Sequence, residues 1–397
     1  MAALVEPTAS YPISSTVETP RGSRRPPRLL ERNLQVYQFG EIDPEKETFI
    51  IVMGRGQSAA AYTDAWVQEN QHRYNIFAYD QPSQGLSDPQ REGDAPRYGD
   101  IESFAHYPQH LNNVVEHVTG VMREHGIDES QRPHVFGHSL GGWTVKRYNQ
   151  MEQYRDRVET VHTSAHMARI EVRADVAKRY LGEDGQLWNG VAIAANLVNG
   201  IRNGMDAPAS DPARGFSLRS QSPWSQTGAA EQTARAYDIE RADPRLQTDR
   251  PTVRWANQGM LAALALHLPG RTTYAPEFHV IPTHDVVSDP AYMELSARRA
   301  VHGAYVAMEG MLHDGLRWSP EDIRRYSELQ EAFVNDPDSM RGDQTHGIQN
   351  DPNDRAAWYE FPRMLLSRRG PMNRQRHAEA RALQAASRER FETLNGE

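Results

Sequence analysis

The stretch that decides the fold is Pro133-His134-Val135-Phe136-Gly137-His138-Ser139-Leu140-Gly141-Gly142-Trp143. A short apolar strand, Val135-Phe136, runs into Ser139, and a helix-compatible segment over 143–151 leaves it. Strand, tight turn and helix in that order are what a nucleophile elbow needs. The serine sits on a strained turn with its Oγ lifted above a sheet, and glycines two residues to either side let strand and helix approach. The plainer reading is a glycine-rich turn with an incidental serine, so the pentapeptide must be weighed with the rest of the chain.

Working outward, residues 49–53 (FIIVM) and 75–79 (NIFAY) are runs with almost no polar interruption. Such runs imply burial on both sheet faces, as in a parallel sheet. The first enters Gly54-Arg55-Gly56-Gln57-Ser58 and the second enters a turn-rich loop over 81–88. Loops at the carboxyl ends of such strands are where open α/β sheets place their ligands. Helical periodicity covers 104–125, with Leu111, Val114, Val115, Val118 and Met122 on one stripe, and further helices are expected over 62–70, 291–301 and 320–333. Strands are expected over 34–39, 158–162, 278–281 and 304–308. Strands alternating with helices make this an α/β chain with a mostly parallel sheet and helices on both faces.

The rhythm breaks between 164 and 255, where helical fragments (174–181, 191–201) surround a polar stretch over 206–228. This segment is expected to be a cap inserted into a core of residues 31–163 and 256–335. Pro251-Thr252-Val253-Arg254-Trp255 opens the helix that follows it, which carries Met260, Leu261 and Leu264. Residues 1–30, rich in Pro, Ser, Thr and Arg, are expected to be a polar tail, poorly ordered or draped on the body. Residues 336–397 form an extension: a polar linker, an apolar island over 358–366, and a charged closing helix. The segment from Asn350 onward is expected to be dispensable for chemistry.

Composition narrows the function classes. With 397 residues the chain can bury a large core, and with no cysteine it has neither disulfides nor thiolate chemistry. A net charge of -9 excludes the basic footprint of nonspecific nucleic-acid binding. Only Lys46, Lys146 and Lys178 are lysines, a bias read as one of codon usage. The mean hydropathy of -0.74 fits polar extensions around a compact body. There is no signal-peptide core after Met1 and no apolar run of membrane-spanning length, so the expected location is cytoplasmic. Oligomeric state cannot be read from these features.

A serine hydroxyl at neutral pH needs a base within hydrogen-bond reach and a carboxylate to orient that base. His313 lies just beyond the last strand and Asp285 just beyond the one before it, so these are the candidates, with Asp289 the rival acid or a helix N-cap. His138, His284 and His302 are read as bystanders among the 16 histidines. The N–H of Leu140 and an N–H of the glycine-rich loop, that of Arg55, are the expected oxyanion donors.

Four blocks now carry a resemblance: Met53-Gly54-Arg55-Gly56, Tyr79-Asp80 through Gly85-Leu86-Ser87, Gly137-His138-Ser139-Leu140-Gly141-Gly142, and Asp285-Val286-Val287 with Gly310-Met311-Leu312-His313-Asp314. The chain resembles the α/β-hydrolases that include bacterial lysophospholipases and monoacylglycerol lipases, a serine-aminopeptidase-like group, over roughly residues 34–335. The resemblance implies an α/β-hydrolase fold with an inserted helical cap. It implies ester hydrolysis through an acyl-enzyme, no metal or organic cofactor, and a small ester or monoacyl lipid as substrate. Met167, Trp255 and Met260 would then line an acyl pocket with Ile170, Trp188, Ile193, Leu197 and Leu264. Many relatives have His-Gly where this chain has Met53-Gly54, a departure that bears on substrate more than on the triad.

Two other readings compete. On the same fold, a peptidase would use cap acids such as Glu171, Asp175, Glu183 and Asp184 to hold a substrate ammonium, and a small-ester or lactone hydrolase would lack the long acyl pocket. A non-catalytic binding protein on a hydrolase scaffold would have no use for the Ser139, Asp285 and His313 set. The island of Trp358, Phe361 and Leu365 beside Arg363 is expected to pack on the body or a second subunit, with peripheral membrane contact as the alternative.

Overall fold

The computed structural model describes residues 6–18, 29–88, 99–169 and 230–338 apart from 247, 249–250, 269–271, 286 and 301, together with scattered positions between 378 and 389. The expected helices at 174–181 and 191–201, the cap acids and the island at 358–366 lie outside these residues. Eight strands make one sheet: β1 (Ala9–Glu18), β2 (Leu29–Phe39), β3 (Glu47–Val52), β4 (Tyr74–Tyr79), β5 (His134–His138), β6 (Val161–Ser164), β7 (Glu277–Pro282) and β8 (Gly303–Met308). Their order is β1-β2-β4-β3-β5-β6-β7-β8. β1 pairs antiparallel with β2, and β2 antiparallel with β4, while every pairing from β4 to β8 is parallel.

The continuous apolar runs are explained by what covers each face. Phe49 and Ile51 of β3, Ile76 and Ala78 of β4, and Phe136 of β5 face one layer. That layer holds Tyr62 from α1 (Ala59–Tyr62), Trp66 from α2 (Asp64–Asn70), and Ile323, Tyr326 and Phe333 from α8 (Pro320–Asn335). Ile50, Val52, Phe77, Tyr79 and Val135 point the other way, onto Leu111, Val114, Val118 and Met122 of α3 (His106–Glu124) and Val145 and Tyr148 of α4 (Leu140–Asn149). Successive side chains alternate between faces, and both faces are roofed, so no position along these strands can be polar at low cost. The helical stripe at 111, 114, 115, 118 and 122 is the buried face of α3. Truncating one of these fully buried large side chains, such as Trp66, would cost about 3–5 kcal/mol.

The N-terminal segment differs from its expected role as a tail. Residues 9–18 form a ten-residue edge strand in register with β2 from Ala9↔Gln38 to Glu18↔Leu29. The alternation that drives it is Ile13, Ser15 and Val17 inward, with exposed residues between them. Ser15 Oγ lies 2.7 Å from His110 Nδ1 and accepts from Asn113 Nδ2 at 2.8 Å, so a polar inward residue is satisfied by α3. Pro12 is tolerated because β1 has a neighbour on one side only. Proline and serine content masked a period-2 pattern.

After β6 the described chain resumes with α5 (Ala230–Ala242), whose Ala236 and Ile239 pack into the same layer as Trp66 and Tyr37. Then come α6 (Val253–Ala265) and α7 (Pro290–Arg298). Thr252 caps α6, its Oγ1 accepting from Trp255 N at 3.1 Å while donating to Asp100 Oδ1 at 2.9 Å. No described helix is long and apolar enough to cross a membrane.

Candidate active site

Ser139 stands between β5 and α4 with φ 54° and ψ -112°, a left-handed backbone that a residue with a side chain adopts only under constraint. The constraint is local packing. A Cβ on Gly137 would come within 2.3 Å of Gly141 O, and one on Gly141 within 1.9 Å of Val52 O, so neither position can carry a side chain. Ser139 N–H is held by Ser164 O at 3.0 Å, and Ser139 O accepts from Trp143 and Met167 amides at 3.1 and 3.0 Å. The turn is therefore pinned on three sides and presents its hydroxyl at the carboxyl end of the sheet.

The loops after β7 and β8 bring the other two candidates to it. His313 Nε2 lies 2.8 Å from Ser139 Oγ, and His313 Nδ1 lies 2.7 Å from Asp285 Oδ2. A carboxylate only accepts, so Nδ1 carries the proton and donates it to Asp285, which leaves the Nε2 lone pair facing the serine hydroxyl. Asp285 is fully buried, and its second oxygen accepts the amides of Val287 and Ser288 at 2.7 and 2.9 Å. Asp289, the rival, instead caps α7, accepting from Ala291 N at 3.2 Å.

Around this line lie the remaining expected residues. Leu140 is the first residue of α4, in the turn whose amides have no intrahelical acceptor. Arg55 lies in the loop after β3, between two committed amides: Gly54 N–H donates to Gln57 Oε1 at 2.9 Å, and Gly56 N–H donates to Gln84 Oε1. Its guanidinium lies 4.8 Å from the centre of the Trp255 ring, a cation–π contact between this loop and α6. Met167 and Trp255 are buried in one cluster with Leu140, Trp143, Phe104 and Ile101. Met260 is buried on α6. Met167 and Trp255 thus pack beside the start of the serine-bearing helix, and all three side chains are buried.

Asp80 organises the loops. Buried at the end of β4, it accepts from Ala59 N at 2.7 Å, Leu86 N at 2.9 Å and Tyr37 Oη at 2.8 Å. Burial pushes its carboxyl up to about 6, against the opposing pull of those three donors. A Cβ on Gly85 would lie 2.1 Å from its Oδ2, which is why that turn needs glycine.

The sequence reading did not single out Gln57, and it left Asp314 without a role. His138, read as a bystander, is fully buried with its ring centre 5.2 Å from that of His313. His284 lies 3.0 Å from Glu379, so the C-terminal extension touches the residue next to Asp285. Ala380 beside it is fully buried.

A family model described as serine aminopeptidase, S33, matches residues 43–317. The chain belongs to this family of α/β hydrolases. Among solved structures it is similar to a monoacylglycerol lipase from Paleococcus ferrophilus at 17% identity and TM-score 0.53, covering 76% of this chain and 98% of that one. A soluble variant of the monoglyceride lipase of Saccharomyces cerevisiae, solved with a substrate analogue, matches at 14% identity and TM-score 0.54, covering 84% and 97%. An α/β hydrolase from Penicillium matches at 16% identity and TM-score 0.51, covering 81% and 98%. At these identities the similarity to this hydrolase is one of fold. No curated protein sequence matches the chain.

Proposed function

We propose that this hydrolase cleaves carboxylic esters through an acyl-enzyme, with Ser139 as nucleophile, His313 as base and then acid, and Asp285 as the group that orients and stabilises His313. The observation that carries the reading is the unbroken line Asp285 Oδ2–His313–Ser139 Oγ at 2.7 and 2.8 Å, ending on a strained serine.

Ser139 Oγ attacks the carbonyl carbon while Nε2 takes its proton, and the carbonyl oxygen becomes an oxyanion held by the amides of Leu140 and Arg55. The imidazolium, stabilised by Asp285, gives that proton to the departing alkoxide. Water then attacks the acyl-serine, passing one proton through His313 back to Ser139 and releasing the acid.

The surroundings favour a neutral acyl group over an amino-terminal peptide. A substrate ammonium wants a carboxylate nearby. Here the start of α4 is packed by Leu140, Trp143, Met167 and Trp255, and the side chain over Trp255 is the cation of Arg55. Asp100 is committed to Thr252 and Arg254. The proposed substrate is a medium- or long-chain monoacyl ester such as a monoacylglycerol or lysophospholipid. Each buried methylene is worth about 0.8 kcal/mol, so each added carbon should raise kcat/KM by roughly fourfold until the pocket is full. Measuring kcat/KM over C2 to C16 esters, with aminoacyl anilides alongside, tests this. A profile that peaks at C2 would leave a small-ester or lactone hydrolase, and preferential anilide cleavage would favour the peptidase that the family description names.

A further inference from the structure

A chain of buried polar contacts joins the loop that carries the base to the loop that carries the oxyanion donor. It begins at Asp314, the residue after His313. Asp314 Oδ1 accepts from Gln57 Nε2 at 2.6 Å, and Gln57 Oε1 accepts from Gly54 N–H at 2.9 Å. Both side chains are essentially inaccessible to water, Gln57 at 3% exposure and Asp314 at 0%. His138 closes the arrangement, with Nε2 3.2 Å from the same Asp314 oxygen. Gly54 rests directly on that ring: a Cβ there would lie 3.1 Å from His138 Cδ2 and 2.5 Å from Gln57 Oε1. The contacts span 257 residues of sequence, from the end of β3 to the loop after β8.

We propose that Gln57 and Asp314 are positioning residues that fix the Gly54-Arg55 backbone relative to His313, so that the oxyanion donor and the base are set by one rigid buried relay. The inference rests on the acyl-transfer reading above. The chemical logic is geometric. An amide stabilises an oxyanion only when its N–H points at where the charge will form, and a glycine-flanked loop has no rigidity of its own to hold that direction. A carboxamide that accepts from the loop and donates to a buried carboxylate supplies the rigidity. Asp314 also has a shape-matched substitute: asparagine keeps the Oδ1 acceptor that Gln57 uses, while its second oxygen and the charge give way to an NH2 group.

The test uses the full chain and four variants: Gln57→Leu, Asp314→Leu, Asp314→Asn and the double leucine variant. With the best ester found for the wild type, Gln57→Leu should lower kcat about 10- to 100-fold while KM stays within about threefold, since only transition-state contacts are lost. Asp314→Asn should recover most of what Asp314→Leu loses, and the double variant should be no worse than the worse single variant. A structural role alone would not change the kcat ratio between an oxo-ester and its thiono counterpart, whose sulfur is poorly held by amide donors. That ratio should collapse about tenfold in Gln57→Leu. If Asp314→Leu does not fold, the kcat and thiono ratio of Gln57→Leu decide the matter. An unchanged kcat or ratio in Gln57→Leu, or a loss carried wholly by KM, overturns this inference and leaves the triad standing. A wild type that neither hydrolyses esters nor reacts with a fluorophosphonate at Ser139 overturns both.

Discussion

Among the acid–histidine–hydroxyl lines of the described residues, two share the pattern of partners and differ in setting. In one, Glu277 Oε2 lies 3.0 Å from His279 Nε2, and His279 Nδ1 lies 2.7 Å from Thr163 Oγ1. In the other, Asp285, His313 and Ser139 meet at 2.7 and 2.8 Å. The first is sealed: Glu277, His279 and Thr163 are all fully buried within strands β7 and β6. Its acid is spent on Lys146, whose Nζ contacts Oε2, and on Asn149, which donates to Oε1 at 2.9 Å. Burial alone would push the Glu277 carboxyl up, but Lys146 and His279 more than offset it and hold it down to about 2. His279 is pushed down by burial and by Lys146, so the doubly protonated imidazolium is disfavoured. The second line sits at the carboxyl ends of the strands on loops, its acid backed by the neutral amides of Val287 and Ser288 and its hydroxyl on a strained turn. Composition and spacing alone do not favour nucleophilic catalysis; the setting of the hydroxyl and of the acid on the histidine is what separates the proposed site from the sealed line.

The two lines should differ most at their hydroxyls. Ser139→Ala should lower kcat by about 10⁴- to 10⁶-fold with the fold intact by circular dichroism. Thr163→Val should leave kcat within about threefold and cost about 1–2 kcal/mol of stability, because His279 loses a buried partner. Steady-state kinetics and urea unfolding of the two proteins side by side read both effects.

The acids sharpen the difference next. Asp285→Asn should cost about 10⁴-fold in kcat by presenting the wrong hydrogen-bonding edge to His313. Asp289→Asn keeps a good N-cap and should stay near wild type in both rate and melting temperature. A crippled Asp289→Asn beside a mild Asp285→Asn would move the acid to Asp289.

In the sealed line the charge pair governs stability, not rate. Lys146→Met leaves Glu277 without its buried cation and should cost about 3–5 kcal/mol while sparing kcat. The pH dependence has a defined sign. Glu277 is held near 2 when folded against 4.5 as the ordinary value, so its contribution is present above about 4.5 and is lost as pH falls from there toward 2. Melting temperatures between pH 3 and 7 should show that acid loss in the wild type and a weaker or reversed slope in Lys146→Met.

The smallest effect belongs to the C-terminal extension. Truncation at residue 345 removes the Glu379–His284 contact at 3.0 Å, whose carboxylate is about half exposed. Such a pair contributes ~1 kcal/mol or less, so kcat should change by less than about threefold. A large loss of rate would show that the extension positions the acid loop.

The difference between the two lines also explains how much was legible in the sequence. The parallel sheet could be read because strands roofed on both faces leave an unbroken apolar signature, as at 49–53 and 75–79. The meeting of Ser139, His313 and Asp285 at one end of the sheet could be read because each follows a strand and the elbow demands glycines at 137 and 141. The edge strand at 9–18 was missed because its alternation runs through Ser15, whose polarity is satisfied by a helix a hundred residues away. Gln57 and Asp314 carry no local pattern at all: one sits in a glycine-rich turn, the other beside the expected base, and only the fold brings them within hydrogen-bond distance. The Glu277–His279–Thr163 line was equally invisible, since it spans two strands that pair only in the folded sheet.

Acylation of Ser139, activated by His313, is what the proposed function requires. Its most direct test is to treat the wild type and His313→Ala with a fluorophosphonate, digest, and locate the adduct by mass spectrometry. A single phosphonylated serine, Ser139, is expected in the wild type, with labelling at least about 10³-fold slower in His313→Ala. An unlabelled Ser139, an adduct on another serine, or equal labelling rates in the two proteins would contradict it.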